Sequence, residues 1–201
     1  MLNAINGFRS NMAQTEQLIA LFDYLNSHLK APMNFDDILR SKIVYAVSAF
    51  DKLMHDLIRI GMVEIFNGVR PVTPKYSVEP IQMQVVQQLS NATPPPSLVF
   101  EAAIRTKLKF MSFQDPDKIA DGLSYIWVES QKWQKIAAAI AADEKSLRTT
   151  LKLIATRRNA IVHEADLDPI TGVKIPITRH EAVDIVNLLK QLGEEIYKLV
   201  K

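Results

Sequence analysis

The chain has 201 residues, 48% of them apolar and 23% charged, which suits one well-packed domain and excludes a disordered chain. A formal charge of +2 is too small for bulk electrostatics to announce nucleic-acid binding, although it leaves room for a local basic site. There are no cysteines, so disulfides and thiolate chemistry are excluded, and a zinc site would have only four histidines and carboxylates to draw on.

The opening stretch, MLNAINGFRSNMAQTEQ, lacks the apolar core of a secretion signal. The longest purely apolar run, IAAAIAA at 136–142, is far short of the roughly 20 residues that span a bilayer. The expected setting is soluble and cytoplasmic, with no membrane partner. Residues 12–30 form a first amphipathic segment, with Leu18, Leu21, Phe22, Leu25 and Leu29 at three- and four-residue steps. Residues 35–66 form a long second one, where Leu39, Ile43, Ala46, Phe50, Leu53, Leu57 and Ile60 make a core-facing stripe.

The stretch NGVRPVTPKYSVEP then breaks the pattern with three prolines and a glycine and predicts a surface loop. A short helical piece at 81–90 leads into NATPPPS, where consecutive prolines forbid a helix. Helical patterning resumes at about 97–110, 116–128, 130–142 and 144–165. Thr178 and Glu181 have capping-box spacing ahead of a last helix carrying Ala182, Val186, Leu189, Leu192 and Ile196. No internal repeat stands out. The expected fold class is all-α: one helical-bundle domain over 1–201 with a proline-rich insertion at 67–97.

RRNAIVHE, residues 157–164, holds the densest polar chemistry. The stripe of its helix runs Leu147, Leu151, Ile154, Arg158, Ile161, Ala165, so Arg158 occupies a position reserved for an apolar side chain. A buried arginine needs a partner, because its charge cannot be neutralised. One reading has Arg158 reaching the surface or pairing with an acid such as Asp51, while His163 caps the helix end. The other has the group assembled for chemistry. Asn159 and His163, four apart, project from one side. Arg158 and His163 are offset by about 140° and converge only across a groove or interface.

RRNAIVHEAD resembles the signature of the HEPN superfamily, small all-α domains whose motif is an arginine, four to six residues, then histidine, usually with a polar residue after the arginine. Here that reads Arg158, Asn159-Ala160-Ile161-Val162, His163; Arg157 also satisfies the looser spacing. LRSKIVYAVSAFDKLMHDLI (39–58) and HEADLDPITGVKIPIT look like bacterial members of the RiboL-PSP type. The resemblance covers about 35–66 and 125–200. It implies a metal-independent endoribonuclease acting as a dimer with a shared cleft. His163 would be the general acid/base, a task for a group titrating near neutral pH. Arg158 would hold the scissile phosphate, and Asn159 would orient the histidine or the phosphate. The RNA 2′-hydroxyl would attack, leaving a 2′,3′-cyclic phosphate, with no cofactor and no metal.

The resemblance also implies RNA as substrate, a homodimer, and a bacterial toxin or defence role with an antitoxin or defence partner. The alternative is a catalytically silent HEPN dimer serving as an interaction module. Auxiliary candidates are Arg157, Asp51 and His55; the last two are either a local i,i+4 pair or part of the same cleft. His163 and Glu164 with Asp166 and Asp168 are a weak metal-site pattern, and a solvated turn before Pro169 is the expectation. Trp127, Trp133, Phe110, Phe113 and Tyr125 are expected in core or dimer packing.

Overall fold

A computed structural model describes residues 1–29, 33–91 and 93–201; the far end of the first expected segment, at 30, and position 92 of the proline-rich stretch fall outside them. Among the described residues there are nine helices and no strand. The fold is all-α, as the sequence predicts.

Helix α2, Asp36–Phe66, is the central pillar, and α1 (Leu2–His28), α5 (Pro96–Leu108), α6 (Pro116–Leu123), α8 (Glu144–His163) and α9 (Arg179–Val200) all pack against it. The expected stripe from Leu39 to Leu57 is fully buried, and Val47, Met54, Ile58 and Met62 widen it, so most of the α2 circumference is interior. Such a helix suits the middle of a bundle. Ile60 is only half-buried.

Helix α1 begins at Leu2, ten residues before the expected start, because Ala4, Ile5, Phe8 and Met12 form its core face. Of the apolar residues that suggested 12–30, only Phe22 is buried; Leu21 and Leu29 are about half exposed, at 46% and 50%. Phe8 fits where α9 presents Gly193: a Cβ there would lie 2.5 Å from Phe8 Cε1 and 3.0 Å from Leu53 Cδ2. Three helices meet at that missing methyl group.

The segment 67–97 is crossed by a single turn, α3 (Pro74–Ser77), and by α4 (Met83–Leu89), neither of which buries a residue. Polar contacts tie the segment down. Thr73, itself buried, donates to the Tyr125 carbonyl at 3.0 Å. Arg70 bonds Glu64 at 3.0 Å, and Tyr125 donates its hydroxyl to Glu79 at 2.6 Å. Helix α6 ends at Leu123 rather than 128, giving way to turns that carry Tyr125 and Ile126 inward. Helix α7, Lys132–Ala139, stops before the left-handed Ala141.

Asp143 starts α8 by accepting from the Ser146 N–H at 2.8 Å, and Thr178 starts α9 by accepting from that of Glu181 at 3.1 Å. Two anchors show that α8 runs antiparallel to α2. At one end Arg40 of α2 bonds Asp166, just past α8. At the other, Asp51 of α2 accepts from Phe113 N, while Asp117, four residues on, pairs with Arg148 and Lys152 of α8.

Candidate active site

The apolar stripe of α8 is buried at Leu147, Leu151 and Ile154, half-buried at Arg158 and Ile161, and exposed at Ala165. The helix leaves the core as it ascends. Arg158 therefore lies where the stripe meets solvent, which resolves how a charge can occupy it.

Two adjacent arginines take opposite roles. Arg157 turns inward: its Nη2 donates to Asp166 Oδ2 at 2.9 Å and to the carbonyls of Ile175 and Pro176, each at 3.1 Å. Arg40 reaches the same carboxylate oxygen at 2.6 Å and the Ile175 carbonyl at 2.7 Å. Asp166 is wholly buried, so the expected solvated turn is wrong at this residue. A carboxylate can be so buried because two guanidiniums replace its water. Its second oxygen, Oδ1, has no hydrogen-bond partner.

That network fixes the end of α8. Ala165 and Asp166 both adopt positive φ, 53° and 59°, and the Asp166 N–H returns to the Ala160 carbonyl at 3.0 Å. Such backbone is unfavourable for alanine and persists where surrounding bonds over-determine it. Beyond it, Leu167 and Lys174 form an antiparallel bridge across a turn. Asp168 caps that turn by accepting from Ile170 N at 3.0 Å and Thr171 N at 2.8 Å. The Thr171 N–H and hydroxyl hold the Asp168 carboxyl below its ordinary range. Among the described residues no group of three metal-ligating side chains forms.

Arg158 differs from every other arginine. The chain has nine, and Arg9, Arg40, Arg59, Arg70, Arg105, Arg148, Arg157 and Arg179 each pair with a carboxylate. Arg158 pairs with none among the described residues. Its Nη1 donates to its neighbour Asn159 at 3.1 Å, and its buried Nε is unpartnered. Asn159 and His163 are both exposed, on the opposite flank from Ile161, and among the described residues no hydrogen bond or ion pair engages the His163 imidazole. A free guanidinium and an accessible imidazole thus share one helix end, braced by Arg157.

Asp51 and His55 are both engaged at the α5–α6 connection. Asp51 accepts from Phe113 N at 2.5 Å and lies 3.7 Å from the His55 Nε2. The His55 ring meets Phe113 edge-on at 4.7 Å. They form a local pair bracing the α5–α6 connection, and Asp51 makes no ion pair with Arg158. Of the aromatic candidates, Trp133, Phe113 and Tyr125 are buried and Trp127 half-buried, whereas Phe110 is 85% exposed. Sequence reasoning missed Arg40 and Asp166 as supports; nothing in their local spacing links positions 126 apart.

A family model described as RiboL-PSP-HEPN matches residues 10–201. The chain belongs to the RiboL-PSP-type HEPN family. The match includes 67–115, which the motif resemblance leaves uncovered. HEPN membership places the chain among RNase-type or nucleotide-binding modules. No curated relative and no solved structure matches it significantly.

Proposed function

We propose that this HEPN chain is a metal-independent endoribonuclease. The observation that carries the reading is Arg158, which has no carboxylate partner among the described residues, beside the exposed Asn159 and His163. A guanidinium without an internal anion is suited to an external one, and its planar fork matches phosphate oxygens. In the proposed reaction His163 removes the proton of the substrate 2′-hydroxyl, or protonates the departing 5′-oxygen. Arg158 stabilises the charge gathering on the phosphate, and Asn159 holds the guanidinium through Nη1. The bond formed is from O2′ to phosphorus and the bond broken is from phosphorus to O5′, leaving a 2′,3′-cyclic phosphate.

Arg158 and His163 diverge by about 140° around α8, so a homodimer with a composite cleft is the assembly that supplies both groups to one phosphate. RNA is the proposed substrate. The biological setting proposed is a bacterial toxin or defence effector, with an antitoxin or defence-system partner.

The test is incubation of purified protein with mixed RNA in EDTA, beside His163→Ala and Arg158→Ala. Cleavage that resists EDTA, ends in a cyclic phosphate and disappears in both variants supports the proposal. A folded wild-type protein that cleaves nothing across a broad RNA panel removes it, in favour of a silent HEPN interaction module.

A further inference from the structure

We infer that the groove between α1 and α2 is a nucleobase-binding subsite for the RNA strand whose phosphate Arg158 receives; this rests on the ribonuclease reading and extends it to a second part of the substrate. Helix α2 turns one ridge outward, Ser41, Tyr45, Ser48 and Lys52, at steps of four, three and four, while Lys42, Ile43, Ala46, Val47, Ala49 and Phe50 around it are buried. Tyr45 is 63% exposed on the most deeply packed helix of the fold. Its backbone belongs to the central helix while its ring stands largely in solvent.

Two cavities meet at Tyr45. One, about 490 Å³, lies toward α1 and includes Asn11, Gln14, Leu18, Ser48 and Lys52 in its walls. The other lies toward α8 and is bounded by Ile161 and Ala165, the face on which Arg158 sits one turn away. A strand with its phosphate at Arg158 can therefore lay a neighbouring base over Tyr45 and into the α1 side.

The chemistry of the larger cavity favours a base. The amides of Asn11 and Gln14 and the hydroxyls of Tyr45 and Ser48 make no hydrogen bond among the described residues, so four unengaged polar side chains border one groove. Side-chain amides offer donor and acceptor together, as base edges require, and aromatic rings stack on unpaired bases. Leu18 and Ala49 supply apolar wall; the lining of this cavity includes no carboxylate, and Asp37 in the lining of the other is paired with Arg40 and Lys174. Among the described residues Lys52 is engaged by Asp56 alone, at 2.7 Å in an exposed i,i+4 pair, which leaves it available to a phosphate.

The experiment is fluorescence anisotropy with short single-stranded RNAs methylated at every 2′-hydroxyl, which cannot supply the nucleophile, in four single-base versions. Wild type is compared with Tyr45→Ala, Tyr45→Phe and the double variant Asn11→Ala/Gln14→Ala, with melting curves confirming that each is folded. Tyr45→Ala should weaken binding about tenfold, Tyr45→Phe should retain it, and the double variant should flatten preference among the bases. Equal affinity of wild type and Tyr45→Ala, no binding by wild type, or a Tyr45→Ala protein that sediments as a smaller species would each overturn the subsite, the last by making the groove a protein contact.

Cleavage of unmodified RNA by the same proteins separates the two readings. Cleavage with KM and base preference unchanged in Tyr45→Ala removes the subsite and leaves the nuclease. Tyrosine-dependent binding without cleavage by any protein supports the subsite and removes the nuclease.

Discussion

Replacing Arg157 and Arg158 by alanine, one at a time, should separate folding from chemistry between adjacent residues. Arg157→Ala deletes a bond to Asp166 and two to backbone carbonyls. Removing one partner of a buried ion pair costs about 3–5 kcal/mol when the other charge is left alone. Arg40 still holds Asp166 at 2.6 Å, so the expected loss is about 2–3 kcal/mol. At about 2–4 °C per kcal/mol for a chain of this size, Tm should fall by about 4–12 °C. Arg158→Ala removes one exposed bond to Asn159 and no ion pair, for an expected loss under about 1 kcal/mol. Calorimetry gives both Tm values, and cleavage in EDTA is then measured well below either. Arg158→Ala should be folded and inactive. If it melts as far below wild type as Arg157→Ala, Arg158 has a structural partner and the reasoning fails.

Asp51→Ala should behave as a structural lesion: losing the acceptor for Phe113 N costs about 1–2 kcal/mol, with cleavage retained once the protein is folded. A variant that melts normally yet fails to cleave would put Asp51 in the cleft after all. Gly193→Ala drives a methyl group into Phe8 and should destabilise by about 1–3 kcal/mol, read by urea unfolding; an unchanged midpoint would show that Phe8 swings aside freely. Burial pushes the Asp56 carboxyl up, but hydrogen bonds from Lys52 and Arg59 outweigh it and hold the group below its ordinary range. Its contribution to stability is therefore present above an unfolded value of about 3.9 and lost as pH falls through the lower folded value. The Tm gap between wild type and Asp56→Asn should narrow on acidification below pH 4, and a gap that widens contradicts this.

What could be read from the sequence was local or periodic. The α2 stripe holds from Leu39 to Leu57 because a helix buried on most of its faces leaves few ways to misplace an apolar residue. The Thr178–Glu181 cap is a three-residue relation and is found where the spacing put it. The α8 stripe also holds through Ile154, and the anomaly it exposed at Arg158 is genuine, although its cause is emergence from the core. The start of α1 was legible in Ala4, Ile5, Phe8 and Met12 but was outweighed by Leu21 and Leu29, whose periodicity faces solvent. Periodicity reports an amphipathic face without saying whether anything covers it. Asp166 was beyond local reading, because an acid in a turn looks solvated until a distant arginine is known to reach it.

The Asp166 anchor also has a consequence for the order in which the molecule acquires its parts. The two guanidiniums and the carbonyls they seize lie at positions 40, 157, 175 and 176, so a chain emerging from the ribosome completes α2 long before it has anything to clamp. Helix α8 follows with both motif arginines and His163, yet its last turn has no brace until residues 166–176 fold back over Arg40. The group proposed to cut RNA is thus set in place only after residues 166–176 have been made, later in synthesis than the helix that carries it.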